Sequence, residues 1–523
     1  MFEISPMEEH KNKTKQLAQE LSPNTLLDWL LTTGYFPEEY VLPPCFKVKK
    51  KPQKVKPYKN PKADGTHYNL DTVERIDIKF PINEYSDRTF SIINPKIHHD
   101  IAQEIATNWD TLLDRLIPEN SDIYSYSFPL PLVSEPFGTN ISESRSGSMI
   151  FKFLEMTEND LTSAAYNFKS IVKLDIKNFY GSIYTHSIAW AIHDKEFSKN
   201  HKNDFNFLGN RLDKLFQHAS DGQTNGIPVG PVVSDIISEL IASSIDIGIS
   251  KKLKEYDITY KAARFKDDYR FLVKNEADGK VIISTVYEAL RSYQLELNGA
   301  KTEFLSLPSG LFRQWVSKYH LATKIADENY TWLEFRETYL SIISIDKEYP
   351  NTGVVDKFLS DIVNPDGKLK LELNDRNTKK TISMLLMLGN LRARAFPKII
   401  AIIESIYREQ TQGVPTTEIT QYLYSYLEEL TREHNKNNYL ISWLAYFLVS
   451  NKLMKKQVKK LHTNDLITKC IIQNKNHLFE KYSDFILFEN SISSGEKTSL
   501  LEHLKLFKNK DKEEDNEGDF FWY

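Results

Sequence analysis

Carboxylates stand at two places in the sequence where a short apolar run stops. Asp267 and Asp268 have apolar runs on both sides, and Asp175 directly follows the run at 171–174. The runs have the length and composition of strands, so the acid pair is predicted at a turn between two strands and Asp175 at a strand end. Adjacent carboxylates repel each other unless a cation is bound, and Mg²⁺ prefers oxygen ligands. An acid pair alone is more typical of an ordinary acidic hairpin turn, so other residues must decide between the two interpretations.

Two further motifs accompany these acids along the chain. Residues 225–230 contain two glycines and a proline, and they precede apolar residues at helical spacing from 236 to 245. Glycines permit close approach of a ligand to the backbone. Lys301 follows a short apolar stretch at 295–297 and offers a positive charge. The predicted order is therefore strand with acid, glycine loop with helix, turn with two acids, and lysine after a strand.

This series of four motifs, from 171 to 307, resembles the palm of a reverse transcriptase. Its details are most similar to bacterial abortive-infection and other defence-associated reverse transcriptases. Three stretches carry the resemblance: Asp-Ile-Lys-Asn-Phe-Tyr at 175–180, Gly-Ile-Pro-Val-Gly-Pro at 226–231 and Phe-Lys-Asp-Asp at 265–268. Each motif is weak alone, and together they are specific. Many relatives have glutamine where this chain has Val229, which leaves open how that side of the nucleotide is held.

The resemblance implies Mg²⁺-dependent nucleotidyl transfer. Asp175 and Asp267 would bridge two Mg²⁺ ions, with Asp268 as a more peripheral third acid and the carbonyl of Ile176 as a further ligand. Two such ions, about 3.5–4 Å apart, stabilise the entering and the leaving oxygen. Lys301 would donate a proton or positive charge to the departing pyrophosphate, the alternative being a solvated lysine. A carboxylate pair acting as an acid–base dyad would explain neither the glycine loop nor Lys301.

The resemblance also assigns residues to the nucleotide. Tyr180, five positions after Asp175, would close against the sugar and exclude a 2′-hydroxyl, which favours deoxynucleotides; a core aromatic is the alternative. Three loop residues would lie under the templating base and the incoming nucleotide: Gly226, Pro228 and Gly230. Cations of the fingers hold the triphosphate in this enzyme class. The candidates, each of which could equally be a surface cation, are Arg88, Arg145 and Lys152.

A lysine-rich segment near the start of the chain is the candidate for nucleic-acid binding. Eight lysines and three prolines fall between 47 and 62, so a helix is excluded there. Such an arm could contact phosphates of RNA or DNA, or it could be a solvated loop. The lysines proposed for this contact are Lys49, Lys50, Lys51 and Lys54.

Composition narrows the class of protein. A chain of 523 residues can form two or more domains with sizeable cores. The net charge of −4 requires any nucleic-acid surface to be a local patch. Two cysteines, Cys45 and Cys470, make a disulfide framework or a cysteine-based zinc site improbable and fit a reducing cytoplasm. Neither a signal peptide nor an apolar stretch of about 18 residues is recognisable, so no membrane span is expected.

The fold expected is α+β: right-hand polymerase fingers and palm, followed by an all-α helical C-terminal domain. The predicted boundaries are 1–70 for an N-terminal helix and basic arm, 71–308 for fingers and palm, 309–510 for the helical domain, and 511–523 for a charged tail with an aromatic end. The first helix is predicted at 24–31 with Asn24 as its N-cap. Helices of the C-terminal domain are predicted at 381–388, 398–407, 418–430, 439–449 and 478–487.

The function expected from the resemblance is RNA-directed DNA synthesis in a bacterial antiphage system that acts by abortive infection. Its partners would be dNTPs, a template or non-coding RNA, and the DNA product; a homo-oligomer stays open. Three rivals remain. They are a retron-like or intron-type enzyme, a polymerase that makes RNA, and a nucleic-acid-binding protein with an inactive palm.

Some abortive-infection relatives resemble protein-primed enzymes that use a tyrosine, and this chain offers several. Tyr523 is the candidate primer, because a charged segment precedes it and about 12 flexible residues would span roughly 20 Å on average. The alternative is an aromatic tail that packs on the helical domain. The competing tyrosines are Tyr35, Tyr40 and Tyr58.

Overall fold

The computed structural model describes most of the chain. The described residues are 5–48, 74–83, 86–129, 147–323, 329–364, 367–409, 416–453, 465–475, 478–479 and 500. The strands are β1 Ile76–Asn83, β2 Ser86–Ile92, β3 Ile123–Ser125, β4 Ser170–Asp175, β5 Tyr260–Phe265, β6 Asp268–Val273 and β7 Glu303–Ser306.

Helices cover both sides of these strands and make up the C-terminal part. The helices before β7 are α1 Pro6–Gln19, α2 Pro23–Leu31, α3 Pro95–Thr107, α4 Trp109–Leu116, α5 Gly147–Ala165, α6 Phe179–Ser182, α7 Ser187–His193, α8 Lys195–Asn200, α9 Leu208–Ala219, α10 Val232–Glu255 and α11 Glu276–Ser292. Those after β7 are α12 Gln314–Ala322, α13 Trp332–Glu348, α14 Val354–Asp361, α15 Thr378–Leu391, α16 Phe396–Arg408, α17 Thr416–Arg432, α18 His434–Ser450 and α19 Leu466–Ile472.

A five-stranded sheet in the order β3-β5-β6-β4-β7 forms the palm. Strand β4 lies antiparallel to both β6 and β7, and β5 pairs with β6 as a hairpin. The apolar runs that predicted these strands are buried: Ile171, Val172, Phe271 and Leu272 have no exposed surface. The predicted strand that ends in Asp175 and the predicted turn at the acid pair are therefore confirmed.

One helix, α10, packs against both the sheet and the neighbouring helices of the palm. It begins after Pro231, which directly follows the glycine loop, and it contacts α3, α4, α7 and α11. The apolar residues predicted at helical spacing, 236–245, lie within this helix, and almost all of them are buried. Because α10 is held from several sides, it is a rigid support for side chains near its first turn.

A second apolar core joins the fingers hairpin β1–β2 to the C-terminal helices. The ring of Phe80 in β1 lies 5.1 Å from the ring of Tyr439 in α18. The Tyr439 hydroxyl donates a hydrogen bond to the carbonyl of Tyr40 at 2.6 Å. Residues 35–46, between α2 and the lysine-rich segment, belong to the same core. The N-terminal segment, the fingers hairpin and the helical domain thus share one packed interior.

The helix prediction near the start of the chain was wrong by two residues. Ser22, and not Asn24, is the N-cap of α2, and its hydroxyl accepts a hydrogen bond from the amide of Thr25 at 3.1 Å. Pro23 takes the first helical position, where its missing N–H leaves no helical hydrogen bond unmade. Proline at the first position therefore marks the helix start more reliably here than the asparagine that follows it.

The C-terminal predictions mostly agree with the structure. The predicted helices at 381–388, 398–407, 418–430 and 439–449 lie within α15, α16, α17 and α18. The fifth, 478–487, falls almost wholly outside the described residues. The described residues thus form the expected α+β arrangement followed by a helical part. None of the helices in the described ranges combines the length and the apolar character needed to cross a bilayer.

Candidate active site

A tight turn between β5 and β6 aims the acid pair. Lys266 and Asp267 connect the two strands, and the next residue, Asp268, begins β6. Lys266 has a φ of 52°, the left-handed conformation that side chains rarely adopt and that tight turns require. The chain therefore reverses within two residues, and the two carboxylates emerge at one end of the sheet.

Asp175 joins the pair because of the strand register. Its Cα pairs with that of Asp268 across the antiparallel strands β4 and β6. The amide of Ile176 donates a hydrogen bond to the carbonyl of Asp267 at 3.1 Å. Asp175 thus meets Asp267 and Asp268, which follow it by 92 and 93 positions in the sequence, at one end of the palm sheet.

Two side chains hold the carboxylate of Asp175, which is 4% exposed. Asn298 donates its side-chain amide to Oδ1 at 2.8 Å, and Lys301 donates Nζ to Oδ2 at 2.8 Å. The backbone amide of Asn298 also donates to the Asp175 carbonyl at 2.8 Å. Sequence reasoning singled out Lys301 and missed Asn298. The Asn298-Gly299 pair signals a turn, but no local pattern indicates that its amide reaches Asp175.

Crowding of the acids shifts their protonation. Desolvation, together with the neighbouring Asp267 and Asp175, raises the pKa of Asp268 to about 7. Desolvation also raises the pKa of Asp267, with a further contribution from Asp175. Burial works against the charge of Lys301, yet its bond to Asp175 raises the pKa of the ammonium. At neutral pH the acids are therefore stabilised by a shared proton and by a lysine.

These residues fit a divalent cation. A proton on Asp268 and the ammonium of Lys301 offset negative charge that a bound cation would neutralise instead. In the part of the chain that the structure describes, no group of three or more His, Cys, Asp or Glu side chains forms a ready metal cage. Mg²⁺ is usually bound by one or two carboxylates together with substrate phosphates rather than by an all-protein cage. The Asp175–Asp267–Asp268 cluster agrees with such an open site.

A cavity of about 520 Å³ opens beside the acids. Asp175, Ile176, Asp267 and Lys301 line one part of it, and the glycine loop lines another. Its dimensions and polar walls suit a nucleotide. The wall also includes residues that the sequence assigned to the nucleotide: Arg88, Tyr180, Gly226 and Gly230. Pro228, assigned with them, is not among the wall residues.

The glycine loop needs its glycines for two different reasons. Gly226 has a φ of 82° and Gly230 has a φ of 125°, and residues other than glycine rarely adopt such positive values. A Cβ on Gly230 would also lie 2.9 Å from the ring of Pro37. Within the loop, the carbonyl of Val229 accepts a hydrogen bond from the amide of Ser91 at 2.8 Å. The loop therefore ties the fingers hairpin to the palm, and Val229 contributes through its backbone as well as its side chain.

Cations other than those predicted also face the cavity. Arg75, just before β1, and Lys266, in the turn between β5 and β6, line it together with the predicted Arg88. No spacing pattern in the sequence distinguishes Arg75 from a surface cation. Arg145 lies outside the described residues, and Lys152 lies in α5 where the structure does not describe its side chain. The lysines of the proposed arm at 49–54 and the candidate primer Tyr523 are also outside the described residues.

Tyr180 is held at its tip. Its hydroxyl donates a hydrogen bond to Oδ1 of Asp235 at 2.6 Å, and the hydroxyl of Ser238 lies 3.0 Å from the phenol oxygen. Burial and the neighbouring Asp235 raise the pKa of Tyr180, so the phenol stays protonated and serves as the donor. Sequence reasoning had not singled out Asp235, and the i, i+3 pair of polar residues at the start of α10 is its only signal.

A buried ion network supports the Lys266–Asp267 turn between β5 and β6. Arg264, 1% exposed, donates to Asp246 at 2.8 Å and to both oxygens of Glu239, at 2.8 and 3.1 Å. One of its nitrogens also donates to the carbonyl of Lys266 at 3.1 Å. The hydroxyl of Ser127 accepts a hydrogen bond from the amide of Lys266 at 2.8 Å. The main chain of the turn is therefore fixed on both its N–H and its C=O side.

Comparison with known proteins agrees with this geometry. Residues 128–336, which include every motif of the palm, match the family model described as "Reverse transcriptase (RNA-dependent DNA polymerase)". No curated protein matches the chain. Reverse transcriptases generally use divalent metal ions and bind RNA templates and nucleotides.

Solved structures that match this chain include two telomerases. The apo telomerase of Candida tropicalis has 13% identity and a TM-score of 0.33, over 74% of this chain and 69% of that one. The telomerase of Candida albicans, in complex with a fragment of telomeric RNA, has 11% identity and a TM-score of 0.26, over 70% of this chain and 63% of that one. Since the family match spans the acids, the glycine loop and Lys301, this protein contains a reverse transcriptase domain and is an RNA-directed DNA polymerase, a nucleotidyltransferase.

Proposed function

We propose that this protein is a Mg²⁺-dependent DNA polymerase of a bacterial antiphage system, that it acts in the cytoplasm by abortive infection, and that it is associated with RNA. The observation that carries the proposal is the convergence of Asp175, Asp267 and Asp268 beside a cavity that Tyr180 and Arg88 also line. The antiphage part is supported by the resemblance of the palm motifs to defence-associated reverse transcriptases.

The roles of the residues follow from their positions. Asp175 and Asp267 would hold the cations, with Asp268 beside them and the Ile176 carbonyl as a further ligand. When bound, divalent ions stabilise the entering and leaving oxygens of nucleotidyl transfer. Lys301 lies on the Asp175 carboxylate in the structure. It would turn to the phosphates when a cation takes its place, and there it would donate a proton or charge to the departing pyrophosphate.

The remaining candidates would orient the nucleotide. Arg88 lines the cavity and would bind the triphosphate, as would Arg145 and Lys152 of the fingers. The backbone of the loop from Gly226 to Gly230 would lie against the base pair that forms. Tyr180 would stand at the sugar.

Purified protein tests the enzymatic part directly. It should incorporate deoxynucleotides when Mg²⁺ is added, and each single dNTP and rNTP should be supplied with and without an RNA template. Incorporation of ribonucleotides alone would contradict the DNA polymerase assignment. The defence part needs cells: bacteria that express the protein should give fewer phage plaques than bacteria that express a folded Asp267→Asn variant. Equal plaque counts would contradict the antiphage role.

Sugar choice gives a specific prediction. Replacing Tyr180 with alanine should admit ribonucleotides and lower the dNTP-to-rNTP ratio of kcat/KM by about 10- to 200-fold, because a gap opens where the 2′-hydroxyl would clash. The ratio is measured by steady-state kinetics with dTTP and UTP. Tyr180→Val, which leaves a smaller gap, should give an intermediate ratio and serves if the alanine variant folds poorly. An unchanged ratio in both variants means that Tyr180 is not the gate.

The protonated acid gives a prediction for metal binding. Because Asp268 has a pKa of about 7, its proton competes with a cation below neutral pH and is absent above it. The affinity for Mn²⁺, an observable substitute for Mg²⁺, should therefore rise about fivefold between pH 6 and 7, reach about ten times its pH 6 value at pH 8, and level off above that. Electron paramagnetic resonance of free Mn²⁺ measures this without turnover. An Asp268→Asn variant should bind more weakly with a flatter pH profile, and identical profiles would contradict the assignment.

The lysine-rich arm gives a prediction for RNA binding. Replacing Lys49, Lys50, Lys51 and Lys54 with alanine should weaken RNA binding. It should also reduce the steepness of log K against log salt by up to about 3, because fewer counterions are released from the RNA when fewer phosphates are contacted. Fluorescence anisotropy with a labelled RNA at several salt concentrations measures both. Replacing three lysines at the end of α10, Lys251, Lys252 and Lys254, is the control for loss of charge elsewhere. An unaltered slope would indicate a solvated loop.

Protein priming is the finest part of the proposal. A tyrosine oxygen would attack the α-phosphorus of the first nucleotide, forming a P–O bond while pyrophosphate leaves. Tyr523 remains the candidate, and among its competitors Tyr40 lines the cavity, whereas Tyr35 is buried and donates its hydroxyl to the carbonyl of Ile93 at 2.8 Å. Incubation with labelled dNTP, a denaturing gel and peptide mapping decide the matter. If no label stays covalently attached to the protein on the denaturing gel, priming by protein is excluded. If the label maps to Tyr40, only the choice of Tyr523 is wrong.

A further inference from the structure

Tyr180 is fixed at both ends, which is more than an aromatic wall of a cavity requires. Its carbonyl accepts a hydrogen bond from the amide of Ile227 at 2.9 Å, which ties its main chain to the glycine loop. Its hydroxyl donates to Asp235 at 2.6 Å. The ring therefore spans from one tethered point to another across the side of the cavity.

The second tether comes from a rigid element. Asp235 and Ser238 lie three positions apart in α10, so both face the same side of the helix. Ser238 is buried, and its hydroxyl lies within 3.0 Å of the phenol oxygen. Asp235 also lines the cavity that contains Asp175. Because α10 packs against several helices, the carboxylate that holds the phenol cannot easily shift.

Rigidity of this ring decides how well it can discriminate sugars. A ring that excludes a 2′-hydroxyl by contact must not yield when the larger nucleotide presses on it. The torsion that rotates a tyrosine ring has a broad minimum, so it fixes the ring only weakly. The phenol oxygen lies on the axis of that rotation, so a short hydrogen bond there does not stop the ring from turning, but it opposes sideways displacement of the ring.

We propose that Asp235 is a positioning residue for sugar selection: its carboxylate, with Ser238 beside it, locks the Tyr180 ring in the place where it excludes ribonucleotides. This inference rests on the proposed function, since it needs Tyr180 to be the gate. Asp235 acts through Tyr180 and is not required for the chemical step. The competing explanation is that Asp235 only stabilises the start of α10 through the helix dipole.

The decisive variant is Asp235→Ala in the full chain. With an oligodeoxythymidine primer on polyriboadenylate, the dTTP-to-UTP ratio of kcat/KM should fall about tenfold, which is the scale of losing one well-placed contact in a pocket. The fall should come from a higher kcat/KM for UTP, with that for dTTP nearly unchanged. If Asp235 had a purely structural role, the substitution would lower kcat/KM for both nucleotides together and leave their ratio unchanged.

Asp235→Asn separates the hydrogen bond from the charge. The asparagine amide oxygen can still accept the phenol hydrogen, so this variant should keep most of the selectivity. Helix-dipole stabilisation needs the negative charge, so under the competing explanation asparagine would behave like alanine. Asp110→Ala, which removes an exposed acid from the first turn of α4, is the matched control for that effect.

Tyr180→Phe tests the same bond from the other side. It keeps the ring and removes the hydroxyl, so the selectivity ratio should fall as in Asp235→Ala. The double variant Tyr180→Phe/Asp235→Ala should be no less selective than either single variant, because both remove one interaction. Additive losses would mean that the two residues act independently and would overturn the proposal.

The outcomes distinguish this inference from the proposed function. If Tyr180→Ala lowers the selectivity ratio while Asp235→Ala does not, the positioning role of Asp235 is wrong, and the assignment of Tyr180 to sugar selection still holds. If Tyr180→Ala leaves the ratio unchanged, Tyr180 does not select the sugar, and the positioning role of Asp235 is wrong as well. If the wild-type protein incorporates neither dTTP nor UTP with or without the primed template, the proposed function itself is contradicted.

Discussion

Replacing Asp267 with asparagine is expected to abolish nucleotide incorporation. The amide has the shape of the carboxylate but no charge, so a divalent cation loses one of the acids that would bridge it. Loss of a metal ligand costs several kcal/mol of transition-state stabilisation, and each 1.36 kcal/mol is tenfold in rate. A fall of about 10³-fold or more in kcat is therefore expected, measured as label incorporated per enzyme under saturating Mg²⁺ and dNTP.

The same substitution should leave the fold intact. Burial and Asp175 raise the pKa of Asp267, so its charge is disfavoured in the folded protein and its removal should not destabilise the turn. The backbone carbonyl that accepts from Ile176 is retained. Unfolding by heat should therefore occur at the wild-type temperature or above it.

A matched control exists elsewhere in the chain. Asp257 is an exposed acid in a turn after α10 with a φ of 54°, close to that of Lys266, and it does not line the cavity. Asp257→Asn should keep full activity. Wild-type rates in a folded Asp267→Asn variant would refute the assignment of Asp267 to the cation site.

Replacing Arg264 with alanine is expected to be the most destabilising single change in the palm. Removing one partner of a buried ion pair leaves charge uncompensated and costs about 3–5 kcal/mol. Here two buried acids, Glu239 and Asp246, lose their cation at once. Burial works against its charge, yet Asp246 and Glu239 raise the pKa of the guanidinium, which indicates that the network is stable only when complete. Urea denaturation gives the free energy of unfolding.

Two further variants make the Arg264 test specific. Arg336→Ala removes an arginine whose partner Glu337 is exposed, and it should change stability by less than about 0.5 kcal/mol. A triple variant that neutralises the network, Arg264→Met with Glu239→Gln and Asp246→Asn, should recover part of the stability lost in Arg264→Ala, because no unpaired charge remains. A loss below about 1 kcal/mol in Arg264→Ala would contradict the burial argument.

The Arg264 change should also affect catalysis in the molecules that stay folded. Its guanidinium donates to the carbonyl of Lys266 in the turn that carries Asp267. Without that bond, the Lys266 carbonyl loses this donor, while the hydrogen bonds from Lys266 N–H to Ser127 and from Ile176 N–H to the Asp267 carbonyl remain. Activity per folded molecule should therefore fall even under conditions where most of the variant is native.

The sequence by itself determined the local parts of the site. Apolar runs with acids at their ends predicted strand β4 and the hairpin turn, because burial of alternate side chains and the shape of tight turns depend on neighbouring residues. The glycine loop and the helix that follows it were predictable for the same reason. The helix pattern after 380 likewise indicated the helical part. The start of α2 shows the limit of such reasoning, since proline and serine outweighed the expected asparagine cap.

Only the tertiary structure decided which side chains meet. Asn298 bonds Asp175 across 123 positions, and Asp235 bonds Tyr180 across 55. Arg264 donates hydrogen bonds both to the carbonyl of Lys266 in the turn between β5 and β6 and to Glu239, 25 positions earlier in the chain. These polar partners follow no period, because each is set by how α10 and the chain before β7 pack on the sheet. Hydrophobic spacing specifies an element and its buried face, whereas the pairing of polar groups depends on the distances that packing creates between elements.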